Sequence, residues 1–102
     1  MKNVVITGTG VICPLGRNKN EIIKKLKSGT PGYMRDGFFR VPEDVLVLPE
    51  GFNPSGEISI DFAQIAFLDA IKDAGLKIGD IPDNSMVIFS SSKGGMNSLF
   101  SA

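Results

Sequence analysis

The strongest constraint on this chain lies between Asp61 and Ala74. Ala63, Ala66, Phe67, Ala70, Ile71 and Ala74 recur at the i, i+3, i+4, i+7, i+8 and i+11 spacing of one helix face. Phe62, Ile65 and Leu68 widen that stripe until most of the circumference is apolar. Such a helix cannot lie on a surface with one face wet. It needs a sheet or a second helix against it, and its four alanines call for a neighbouring backbone at close range. Asp61 is a candidate cap, and Gly75 stands where a helix closes with a left-handed residue. The stripe therefore reads as core, with no ligand assigned to it, and the fold must be layered.

Two runs can supply the other layer. Val4, Val5 and Ile6 are β-branched and continuous, the composition of a central strand buried on both faces, and Met86, Val87, Ile88 and Phe89 form a second such run. Long helical segments separate them, which favours parallel pairing through a right-handed crossover over a hairpin. The first of those segments begins at a cap, Asn18 or Asn20. It carries Ile22, Ile23 and Leu26 inward and Lys24, Lys25 and Lys27 on the wet side, and it stops at Ser28-Gly29-Thr30-Pro31-Gly32. The lysines suit the negative end of the helix dipole and read as a solvated face.

Residues 33–56 have a weak pattern, with breakers at Gly37, Pro42, Pro49, Gly51, Pro54 and Gly56, so a β-arm and an irregular loop are both compatible with it. The apolar run Val45, Leu46, Val47 and Leu48 inside it is expected to be an edge strand or a subunit contact. Residues 78–84 form a connector containing Gly79 and Pro82. The resulting order, β-α-(loop)-α-β, is α/β, and 102 residues leave room for one domain only.

Composition removes several classes of function. Eleven basic and eleven acidic residues give no net field to draw nucleic acid or an anionic membrane. No apolar run approaches a membrane span or a signal-peptide core, and a lone cysteine, Cys13, suits a reducing compartment, so a cytoplasmic protein is expected. The chain contains no histidine. The commonest general base, the usual partner of a serine or cysteine nucleophile and the commonest zinc ligand are all missing. No catalytic, cofactor-binding or metal-binding residue is assigned within it, and any chemistry it serves is completed elsewhere.

The turn after the first run tests a nucleotide-binding reading, because a strand followed by Gly8-Thr9-Gly10 opens as a phosphate-binding turn does. The third glycine of that motif would fall at Cys13, and Pro14-Leu15-Gly16 displaces the helix terminus that should meet the pyrophosphate. The acidic residue expected about 20 positions on has no strand beneath it, since Asp36 lies in a glycine-containing loop. The short-chain dehydrogenase variant would need glycine where Ile12 and Pro14 stand, and no Gly-Lys-Ser or Gly-Lys-Thr is present for a P-loop. Gly8 and Gly10 are better explained by close backbone packing, and Pro14 and Gly16 by the bend from sheet to helix.

Four stretches in order, residues 4–32, 52–55, 61–76 and 86–96, resemble the amino terminus of the β-ketoacyl-[acyl-carrier-protein] synthases. The first is an apolar strand, Thr7-Gly8-Thr9-Gly10 and a Pro14-Leu15-Gly16 turn. A helix then leads to Leu26-Lys27-Ser28-Gly29-Thr30-Pro31-Gly32, which closes this stretch. Phe52-Asn53-Pro54-Ser55 is similar to the family's Phe-Asp-Pro-Ser. The alanine-rich helix closes in Asp73-Ala74-Gly75-Leu76, and Gly94-Gly95-Met96 follows the second apolar run.

The resemblance implies a partial thiolase-like fold, with a mixed sheet completed by chain beyond these residues. It implies condensation of an acyl thioester with malonyl on acyl carrier protein, in fatty acid or polyketide synthesis. Acyl carrier protein and acyl and malonyl thioesters would be the partners, with a homodimer or heterodimer as the assembly. The family's chemistry needs a cysteine that takes the acyl group and two histidines, or a histidine and an asparagine, that assist decarboxylation and hold the oxyanion. Its nucleophile motif falls after Ala102. Cys13 is not in that motif and reads as a small buried packing residue. Lys93-Gly94-Gly95 is compatible with a channel border and with simple turn geometry. A non-catalytic, chain-length-factor type partner subunit is the alternative from a different class. On either reading two strands are too few to cover the long helix, so exposed apolar surface is expected.

Overall fold

The computed structural model describes residues 2–49, 52–92 and 94, and for Val45 the backbone alone. Their architecture is mixed α/β: helix α1 (Lys19–Ser28), a two-stranded antiparallel sheet of β1 (Met34–Arg35) and β2 (Phe38–Phe39), and helix α2 (Ile58–Asp73). Short 3-10 turns lie at Glu43–Val45 and Ile78–Asp80.

Helix α1 forms and both helices end for the local reasons their sequences suggest, whereas α2 begins elsewhere than expected. Asn18 caps α1, its side-chain oxygen accepting from the backbone N–H of Asn20 at 2.9 Å and of Glu21 at 3.3 Å. At the other end Gly29 adopts φ 72°, and its own N–H and that of Thr30 close back on the carbonyls of Leu26 and Lys25. Helix α2 starts one turn before the expected cap. Gly56, at φ 82°, breaks the chain there, and the N–H of Glu57 bonds to the Ser55 hydroxyl. Asp61 instead accepts from the Ser55 amide at 2.8 Å and its hydroxyl at 2.7 Å, holding the approach to the helix. Gln64 ties Asn53 down by both its amide atoms, at 2.9 Å each. Gly75 follows α2 at φ 74°, as its position suggested.

The sheet differs from the expected one. The 4–6 and 86–89 runs form no ladder among the described residues, either with each other or with another strand. The expected central strand is bare, with Val4 95 % and Ile6 86 % exposed, and Ile88 in the second run is 85 % exposed. A parallel pair needs both its faces covered, and α1, with no buried residue, covers neither run. The observed pair lies instead in the weakly patterned region. Asp36 and Gly37, at φ 55° and 79°, make a two-residue turn with both centres left-handed, and Met34 registers with Phe39.

The edge strand expected at residues 45–48 is likewise absent. Pro42 and Pro49 bracket the segment, the acidic Glu43 and Asp44 begin a 3-10 turn, and residues 46–49 follow without regular structure.

Ile65 and Leu68, 2 % and 8 % exposed, are the buried apolar side chains among the described residues. They belong to the flank of the α2 stripe; the alanines are partly covered. The accessible surface is 8362 Å², against about 5,600 Å² expected for a folded monomer of this mass. The radius of gyration is 15.7 Å, where a compact domain of this length has about 13 Å. The expected exposure of apolar surface is therefore found.

Candidate functional site

The best-built part of the molecule is where the opening turn meets α2. Gly8 lies against Ala70 and Ala74, and Gly10 against Ala66 and Ala70. A Cβ on Gly8 would stand 2.7 Å from the Ala74 nitrogen, and one on Gly10 2.8 Å from the Ala70 nitrogen, with a helix carbonyl oxygen closer still in each case. Two extended residues advance about 6.6 Å and four helical residues about 6.0 Å. Glycines two apart therefore match alanines four apart, with the two segments running in opposite directions. Close packing by Gly8 and Gly10, and a near backbone beside the alanines, are found together in one contact.

Charge fixes the same contact. The Thr9 amide, between the two glycines, donates to the Asp73 carboxylate at 2.9 Å, and the Lys19 ammonium meets that carboxylate at 2.8 Å. One helical turn earlier, Asp69 takes a two-point contact from the Arg17 guanidinium, Nε to Oδ2 at 2.6 Å and Nη2 to Oδ1 at 2.9 Å. Arg17 also donates through Nη1 to the Val47 carbonyl. A single side chain thus joins the opening turn, α2 and the 46–49 segment. The Lys19 bond is the main cause, and the Thr9 bond the next, of a lowered Asp73 pKa, while Asp69 raises that of Arg17. These four charged residues carry no obvious motif. The available signal was two carboxylates four apart on the polar side of an apolar helix, facing two cations two apart after a turn.

At Gly8-Thr9-Gly10 the geometry differs from that of a phosphate-binding turn. The amide that would point at a phosphate points at a carboxylate, and the glycines face a helix flank. A cavity of about 640 Å³ beside the turn is lined by Arg17, Lys19, Asp69 and Asp73, whose charges are already matched to each other.

Cys13 is half-buried, more open than a fully packed core thiol. Its backbone exchanges two hydrogen bonds with Gly16, both 2.9 Å, so that Pro14 and Leu15 form the tip of a tight turn. Among the described residues no hydrogen bond reaches its sulfur, and no three His, Cys, Asp or Glu side chains gather as a metal centre would require. Gly94 lies near Ser91 and Ser59, its N–H donating to the Ser91 hydroxyl at 2.8 Å, whereas Lys93, Gly95 and Met96 lie outside the described residues. No helix among the described residues is long and apolar enough to cross a membrane.

No protein-family model, curated protein or solved structure matches this chain.

Proposed function

We propose that residues 1–102 are the amino-terminal part of a β-ketoacyl-[acyl-carrier-protein] synthase of thiolase-like fold. The whole protein condenses an acyl thioester with malonyl on acyl carrier protein in the cytoplasm, as a dimer, and its nucleophile and histidines lie outside these residues. The observation that carries this reading is the order of the four motif stretches along nearly the whole chain. The structure gives two of them a physical role that fits. Gly8 and Gly10 are required by the alanine face of α2, and Phe52-Asn53-Pro54-Ser55 is docked on that helix through Gln64 and Asp61. The bare 4–6 and 86–89 runs suit strands whose ladder neighbours come from further chain. In this reading the segment is scaffold. It supplies a layer of the fold and no reacting group, in keeping with the absence of histidine and a cysteine tied into a turn.

The test is to isolate the protein from its own cell with an antibody against this chain, measure its intact mass and offer it radiolabelled acyl-acyl carrier protein. The expected result is a polypeptide several times longer than 102 residues that takes the label on a cysteine other than Cys13. A long polypeptide or stable complex that takes no label would indicate the non-catalytic partner subunit. A free 10.9 kDa chain that is monomeric and inert to the thioester would overturn the proposal.

A further inference from the structure

We draw no further inference here: the strongest candidate, the apolar groove of about 640 Å³ between the amino-terminal half of α2 and residues 89–91, lined by Ile60, Ala63, Phe67 and Phe89, is an unpartnered face, and nothing in the structure shows what covers it.

Discussion

Glycine content alone does not distinguish the residues that hold this molecule together from those that merely turn the chain. Gly10 faces the α2 backbone with no space for a methyl group, whereas Gly79 has nothing within 4 Å and an ordinary backbone conformation. Gly10→Ala must therefore push the opening turn off the helix, at about 1–3 kcal/mol for overpacking a tight contact. Gly79→Ala should be neutral or stabilising by up to about 1 kcal/mol, through the unfolded state. Urea unfolding of the gene product distinguishes the two, and equal effects would contradict the packing account.

The charged pairs separate in a similar way. Arg17 and Asp69 are largely covered and share two hydrogen bonds, so Asp69→Asn, which keeps the shape and removes the charge, should cost about 1–3 kcal/mol. Asp73 is a solvent-facing carboxylate whose pKa is lowered first by Lys19 and then by the Thr9 amide. A group with a depressed folded pKa stabilises above its unfolded pKa, about 3.9 for aspartate, and loses that contribution as pH falls through its folded value. Asp73→Asn should therefore flatten the dependence of stability on pH below about pH 4 and leave its slope near neutrality unchanged. Unfolding midpoints across the acid range would show it, and an unaltered acid limb would exclude Asp73 as a contributor.

At the level of elements, what could be read in the sequence depended on whether the cause was local. The end of α1 at Gly29 and of α2 at Gly75 follow from neighbouring residues and are found where the sequence suggests them, and of the two candidate caps, Asn18 and Asn20, Asn18 is the one used. The hairpin is the β-arm that the sequence left open beside an irregular loop for residues 33–56, and Asp36-Gly37 between Met34-Arg35 and Phe38-Phe39 encodes it locally. Helix α2 begins before Asp61 because Gly56 and Ser55 set the boundary, although Ile58 and Ile60 in its first turn favour strands. The sheet failed for another reason. Strand composition at residues 4–6 and 86–89 records what those runs bury when paired, and pairing is a long-range property that no run among the described residues supplies for them. The Arg17–Asp69 and Lys19–Asp73 pairs join residues about fifty positions apart, so the matching i, i+2 cations and i, i+4 carboxylates give spacing but not the partner. Because α1 buries none of its residues, its stability rests heavily on its cap. Asn18→Ala should cost about 1 kcal/mol and appear first as faster amide exchange within α1, with α2 unchanged. Uniform acceleration in both helices would mean that α1 is held by packing after all.

For the whole molecule the deciding quantity is uncovered apolar surface. The accessible area exceeds that of a compact monomer by about half. Val4, Val5, Ile6, Met86, Val87, Ile88 and Phe89 all contribute to it, and none sits in a ladder. Hydrophobic stabilisation scales with the area removed from water, about 25 cal/mol per Å². A chain with two buried apolar side chains among its described residues has little of it to set against the entropy of ordering. Produced alone, residues 1–102 should bind a dye such as ANS strongly and associate at micromolar concentration. Val5→Lys with Ile88→Lys should reduce that association without unfolding α2, since neither residue belongs to the Gly8–Gly10 contact with its alanines. Light scattering and far-ultraviolet circular dichroism on the two chains are the measurements. A monodisperse monomer that binds no dye would mean that the bare runs find cover within the chain, and would remove the physical support for further chain as their partner.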